Sequence, residues 1–293
     1  MPVTGNKILQ KQNLIDESFR SDRPERYDLF IYSNEDEISV AAIERDHKKF
    51  VGLESYEMQV PENPEEYSEL LEEISNQSSL LKPVSFRRVI ICSGFNCSTF
   101  IPNPLYDPST AEDHLRFSQN YNHKDELMTD SLKQVEARNV FAVPSAVYAS
   151  LSRWYPGAEF HHTTTALTDY LLSVHKNSEE EMMTVMVHPR YIEVIVTKGK
   201  EFLLSNNYNY ESPEELVYYI LFVCEQLHLN PETIELKFAG TISLADSAFM
   251  LSRKYIRNTE MVTRPENYSY SFLFNTLPSQ FHYNLFCQLI CAS

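Results

Sequence analysis

Glycine is scarce in this chain. Its 293 residues include only Gly5, Gly52, Gly94, Gly157, Gly199 and Gly240, whereas an average usage of about 7% would give roughly twenty. No GxxxxGK[ST] and no GxGxxG motif is present, so the usual glycine-rich phosphate cradles are excluded. Basic residues are also few: 25 Lys and Arg stand against 41 Asp and Glu, a formal net charge of -16. That balance argues against nucleic acid as a partner, because phosphates need Lys and Arg to neutralise them. It argues equally against an anionic membrane surface. No apolar run approaches the length of a membrane span, so no membrane insertion is expected. The first twenty residues contain no apolar h-region, so no signal peptide is expected.

Cysteine excludes a disulfide framework. Cys92, Cys97, Cys224, Cys287 and Cys291 are odd in number and form no CxxC pair. Cys287 and Cys291 lie one helical turn apart, a spacing that suits neither a zinc knuckle nor an easy disulfide. These residues read as reduced, mostly buried thiols in a cytoplasmic protein.

Hydrophobic residues make up 43% of the chain and aromatics 12%, enough for a sizeable core. The length suggests about two domains. Residues 1–25 are polar and read as an irregular lead-in. Strands are expected at 27–33, 37–44 and 49–58, each rich in β-formers. Asn63-Pro64-Glu65-Glu66 then opens a helix over 64–79: Asn caps, Pro fits the first turn and acids favour the positive helix end. A strand at 88–93 stops at Gly94. A Pro-broken stretch over 99–108 leads to a helix near 109–118. A short strand at 140–143, a helix from Pro144, a short strand at 158–162 and a helix at 164–175 complete the first half. The second half reads as strands at 182–187, 191–197 and 201–207, then a helix from Ser212. A strand at 233–239 stops at Gly240. A helix near 245–256, a strand near 259–263 and an amphipathic helix near 278–290 follow. That last helix either covers a domain face or docks a partner.

The two halves echo one another. Asn63-Pro64-Glu65-Glu66 matches Ser212-Pro213-Glu214-Glu215 at 149 positions' distance; Phe50 and Phe202 lie 152 apart, Gly94 and Gly240 146 apart. The reading is therefore a mixed α/β, internally duplicated chain. Each half has the order β-β-β-α-β-α-β-α and one five-stranded mixed sheet. The domains are expected at 1–180 and 181–293, with Glu179-Glu180-Glu181 as a solvated linker.

That order resembles the actin-like ATPase (ribonuclease H-like) superfold. Phe141-Ala-Val-Pro-Ser-Ala146 resembles a turn of the first domain in Hsp70-type members. His162-Thr-Thr-Thr-Ala-Leu167 resembles the helix that crosses to the second domain. Phe238-Ala239-Gly240-Thr241 falls where the superfamily has its adenosine-contacting turn. The chain is also similar to an uncharacterised bacterial family of unknown function with an actin-like fold. The matching segments are Ser98–Pro102 (STFIP) with Leu105-Tyr106-Asp107, Asn207-Tyr-Asn-Tyr210, and Glu215–Phe222 (ELVYYILF).

The resemblance implies ATP with Mg²⁺ in an interdomain cleft, gripped by two hairpins that carry Asp and Gly. Glycine lets backbone N–H groups approach phosphate closely, and Asp holds the Mg²⁺ shell. Here the first hairpin, Ser33-Asn34-Glu35-Asp36-Glu37, has acids but no glycine. The second, His188-Pro189-Arg190-Tyr191, lacks both Asp and Gly, and Pro189 removes a donor. At the adenosine turn Ala239 replaces one glycine. Asn34, Asp36, His188, Arg190, Gly240 and Thr241 are therefore the cleft candidates, on hairpins degenerate for phosphate. No catalytic residue, metal or cofactor is expected.

Other constellations read as structural. His161, His162, Asp169 and His175 lack metal-ligand spacing. Cys92 and Cys97 carry no nucleophile signature. Tyr218, Tyr219, Leu221 and Phe222 on one helix read as core. The expectation is a cytoplasmic, non-catalytic interaction or scaffold protein with an unknown protein partner. A divergent nucleotide-binding protein is the alternative.

Overall fold

The computed structural model describes residues 8–59, 61 and 63–288. In chain order the first part comprises β1 (Ile8–Ile15), β2 (Tyr27–Ser33), β3 (Glu37–Glu44), β4 (Lys49–Met58), α1 (Pro64–Gln77), β5 (Arg88–Ser93) and β6 (Ser98–Pro102). There follow α2 (Ala111–Ser118), β7 (Glu126–Ser131), β8 (Ala137–Val143), α3 (Ser145–Trp154), β9 (Glu159–His162) and α4 (Thr163–His175). The rest is β10 (Glu181–Val187), β11 (Tyr191–Lys198), β12 (Glu201–Asn209), α5 (Pro213–Gln226), β13 (Glu235–Gly240), α6 (Ser247–Tyr255), β14 (Asn258–Met261), β15 (Ser269–Tyr270) and α7 (Tyr283–Cys287).

Two large mixed sheets organise these elements. The first runs β1-β4-β3-β2-β5-β9 and the second β12-β11-β10-β13-β14. Without β1, both have the same order. In each, the antiparallel meander turns at its first strand, and two parallel strands are added beyond it. The helix that follows each meander starts alike. Asn63 Oδ1 accepts from the Glu66 N–H at 2.9 Å, and Ser212 Oγ accepts from the Glu215 N–H at 3.2 Å. These are N-cap bonds that satisfy an orphan donor.

The central strands are buried on both faces, as near-continuous apolar runs require. On β2, Leu29 and Ile31 join the core under α1 and α3, together with Leu71, Ile74 and Leu151. Phe30 and Tyr32 face the opposite layer, where Phe274, Leu285 and Phe286 pack against Phe50 and Ile90. The second sheet packs Val185, Val194, Leu236 and Phe238 against Leu216, Ile220 and Val223 of α5. Helix α4 is buried from Thr163 to Leu172.

Four sequence expectations need correction. Residues 8–15 are not an irregular lead-in but an edge strand, paired antiparallel with β4 from Ile8↔Met58 to Ile15↔Gly52. The polar run Gln10-Lys11-Gln12-Asn13 hid it, since most of the strand is solvated. The strand at 140–143 does not extend the first sheet: β8 is the middle of a separate three-stranded sheet, β6-β8-β7, inserted between β5 and β9. The Pro-broken stretch over 99–108 conceals β6, an edge strand that tolerates Pro102 at its end. The amphipathic helix expected over 278–290 is only α7, five residues long; residues 289–293, Cys291 among them, lie outside the described residues. Ahead of α7, β15 pairs in parallel with β4 at Ser269↔Lys49 and Tyr270↔Phe50. The C-terminal segment therefore packs against both sheets: Leu285 and Phe286 against the first, Tyr283 and Cys287 against Met186, Ile195 and Ala239 of the second.

Candidate functional site

The two hairpins that the sequence singles out face each other. In the first, between β2 and β3, the Asn34 N–H donates to Glu37 O at 3.0 Å. The Asn34 side chain, almost fully buried, fills the turn: its Oδ1 accepts from the N–H groups of Asp36 (3.0 Å) and Glu37 (2.6 Å). Its Nδ2 donates to Tyr32 Oη at 3.1 Å. The donors that an anion would need at this hairpin are thus held by a carboxamide oxygen of the same chain. In the second, between β10 and β11, the His188 N–H donates to Tyr191 O at 2.9 Å, and Tyr210 Oη donates to His188 O at 2.7 Å. The His188 and Tyr191 rings stack with centroids 4.2 Å apart.

Arg190 bridges the hairpins. Its Nη2 lies 3.0 Å from Glu35 Oε2 and 3.3 Å from Asp36 Oδ2. Tyr191 Oη donates to Gly94 O across the same gap at 3.4 Å. Gly94 is required there: a Cβ on it would sit 2.3 Å from the Tyr32 ring. Beside the bridge lies a cavity of about 550 Å³ whose walls include Asn34, Glu35, Asp36, Arg190, Asn209 and Glu211.

The remaining candidates lie elsewhere. His188, Gly240 and Thr241 line a separate void of about 50 Å³ with Glu37 and His282, room for one or two waters. Gly240 has φ +86°, and a Cβ would lie 2.2 Å from Val187 O. The N–H and Oγ1 of Thr241 both donate to Val187 O, at 2.9 and 3.1 Å. The Gly240 N–H donates to Gln280 O at 2.9 Å, and Gln280 Nε2 donates to Ile242 O at 2.7 Å. The segment before α7 therefore caps the turn that the resemblance assigns to adenosine. Asn34, Asp36 and Arg190 come together at the bridge; Thr241 shares a further cavity of about 380 Å³ with Asp36, and His188 and Gly240 lie behind it.

Burial sets the electrostatics. The Glu37 carboxyl is pushed up to about 7 by desolvation, opposed by a 2.5 Å bond from Ser39 Oγ and reinforced by Asp36 and Glu57. Glu193, on β11, is likewise pushed up to about 7 by burial, and its Oε1 has no partner among the described groups. Desolvation holds the His188 imidazole down at about 4, with Nε2 unpartnered. The buried Glu193 carboxyl behind the hairpin was not legible in the sequence. The signal available was a polar residue inside an otherwise apolar strand, Tyr191–Lys198 (YIEVIVTK).

The histidine and cysteine constellations hold structure together. His161 Nδ1 lies 2.9 Å from Asp130 Oδ1, the His162 N–H donates to Asp130 Oδ2 at 2.8 Å, and Asp169 accepts from the N–H groups of Lys133 and Gln134. His175 Nδ1 pairs with Thr197 Oγ1 at 3.1 Å. No group of three or more His, Cys, Asp or Glu is placed to hold a metal among the described residues. Cys92, Cys224 and Cys287 are buried, and Cys97 is half-buried. On α5, Tyr219 and Leu221 are partly buried against the core, whereas Tyr218 is 60% exposed, edge-on to Tyr219 and stacked on Phe222. The core face is Leu216, Val217, Ile220, Val223 and Cys224.

A family model described as protein of unknown function (DUF3822) matches residues 16–259. The chain belongs to that family. No curated protein matches it. Among solved structures, it is similar to a Bacteroides thetaiotaomicron VPI-5482 protein of unknown function with an actin-like ATPase fold. The TM-score is 0.76 at 22% identity, covering 88% of this chain and 98% of that one. It is also similar to the PilM-PilN type IV pilus biogenesis complex, with a TM-score of 0.62 at 13% identity, covering 92% of this chain and 100% of the matched chain. This DUF3822 member has the actin-like ATPase fold. No helix among its described residues is long and apolar enough to cross a membrane.

Proposed function

We propose that this protein is a non-catalytic interaction protein of the cytoplasm, an actin-like frame whose phosphate-gripping hairpins have been turned to internal contacts. The observation that carries the reading is the Arg190 bridge to Glu35 and Asp36. In the resemblance, phosphate and its cation lie between these hairpins. Here the space is spanned by an ion pair, and the N–H groups of Asp36 and Glu37 are taken by Asn34 Oδ1. A triphosphate would displace both sets of contacts and meet the carboxylates of Glu35 and Asp36. The two units are 1–180 and 181–293, the second returning its C-terminal segment to the first sheet. The structural neighbour PilM, solved in a complex with PilN, lends support to a partner-binding use of the frame. The buried Cys224 and Cys287 thiols, outside any disulfide, suit a reducing compartment.

The alternative, nucleotide binding by other residues, is favoured by one feature, the cavity of about 550 Å³ beside the bridge. Thermal melting separates the two, because a ligand of the native state raises stability by mass action. Millimolar Mg-ATP is expected to leave the melting temperature unchanged, and a saturable rise would overturn the reading. Affinity purification of the tagged protein from its own cells is expected to recover a partner at reproducible stoichiometry. Failure to do so after cross-linking would count against it.

A further inference from the structure

We infer that the cleft is a receptor for a cationic side chain: a lysine or arginine on a peptide segment of a partner protein replaces Arg190 against Glu35 and Asp36. This names the partner chemistry of the site just described and rests on that reading. The cavity of about 550 Å³ carries three carboxylates, Glu35, Asp36 and Glu211, against one guanidinium, Arg190. The carboxamides of Asn96, Asn120 and Asn209 supply further acceptors. An anionic ligand meets repulsion here. An ammonium or guanidinium group meets acceptors.

Arg190 is the exchangeable member. Its side chain is 58% exposed, and Glu35 is as open at 57%. Exposed pairs of this kind contribute little, because solvent screens them and holding two long side chains costs entropy. A competing cation that brings additional contacts therefore displaces it. Arg190 comes from the hairpin of the second sheet and the carboxylates from that of the first, so displacement exchanges a link between the sheets for a link to the partner.

The occupant is a peptide because the groove continues. A second cavity of about 420 Å³ shares Asn34 and Glu35 as walls and is lined by Tyr67, Phe95, Ala146 and Val147. A basic residue in the first cavity places an apolar neighbour of the same peptide against this second wall.

The test is fluorescence anisotropy on the full chain with labelled octapeptides that pair one lysine with one nearby leucine. Control peptides carry glutamine for lysine or alanine for leucine. The lysine–leucine peptides are expected to bind at least tenfold more tightly than either control and to weaken in high salt. Glu35→Gln with Asp36→Asn is expected to lower their affinity at least tenfold while the circular dichroism spectrum is unchanged. Arg190→Ala is expected to raise it severalfold by removing the competitor. Equal binding of the lysine and glutamine peptides, weaker binding to Arg190→Ala, or equal affinity for free spermidine would overturn the inference. A saturable Mg-ATP thermal shift would instead remove the underlying reading. Peptide failure without such a shift removes only the peptide-receptor assignment.

Discussion

Arg190 and Glu35 lie 155 positions apart in the chain, and their side chains meet at 3.0 Å. The contact joins the first turns of two sheets that share a strand order. It is solvent-exposed, so its value lies in closing the cleft rather than in stability. Arg190→Ala is expected to cost less than about 1 kcal/mol, a shift of only a few degrees in calorimetric melting. A loss several times larger would mean that the bridge is structural.

Gly240 and Gly157 offer a controlled comparison. Both have positive φ, +86° and +84° respectively. A Cβ at Gly157 meets nothing within 4 Å, whereas at Gly240 it would sit 2.2 Å from Val187 O. Gly157→Ala is expected to cost about 1–2 kcal/mol, the backbone term alone. Gly240→Ala adds the steric clash with β10 and is expected to cost several kcal/mol in urea unfolding. Equal costs would contradict the packing at this turn.

Phe286 ties the C-terminal segment to the first sheet. It is fully buried and lies edge-on to Phe50, with centroids 4.9 Å apart, and to Tyr270 at 5.3 Å. Phe286→Ala is expected to cost about 3–5 kcal/mol in chemical denaturation. A surface-sized effect below about 0.5 kcal/mol would contradict the placement of α7.

Glu193 makes a prediction about pH. Its carboxyl rises from 4.5 to about 7 on folding, so the folded state holds a proton that the unfolded chain has released. Stability from this group is complete below pH 4.5, falls as pH rises and is lost above about 7. The full span corresponds to roughly 3 kcal/mol. Neutral His188 and His282, held down at about 4, act in the opposite sense between pH 4 and 6.5. Glu193→Gln should therefore gain stability relative to the native chain on going from pH 5 to pH 7.5. A constant difference across that range would contradict the burial assigned to this carboxyl.

Much of the frame was legible because its signals are local. Capped helix starts at Asn63 and Ser212, and apolar runs such as Tyr27–Ser33 (YDLFIYS), specify elements without tertiary help. The inserted sheet was not legible, since β6 and β7 pair only through β8, and long-range pairing leaves no local trace. Strand β1 leaves no local trace for the same reason: its polar centre forms a strand only by pairing with β4. At the cleft, the absence of glycine from both hairpins could be read directly. The consequence could not, because Asn34 closing on its own turn and Arg190 reaching Glu35 are matters of geometry. Nor could the capping of the Gly240 turn by Gln280, which bonds both Gly240 and Ile242.

The central claim is that this cleft is occupied by the protein's own side chains and does not take a nucleotide. Isothermal titration calorimetry of Mg-ATP into the full chain, at concentrations that detect millimolar affinity, tests it most directly. The account predicts only heats of dilution, for the native chain and for Arg190→Ala alike. A saturable isotherm near one ATP per chain would contradict it.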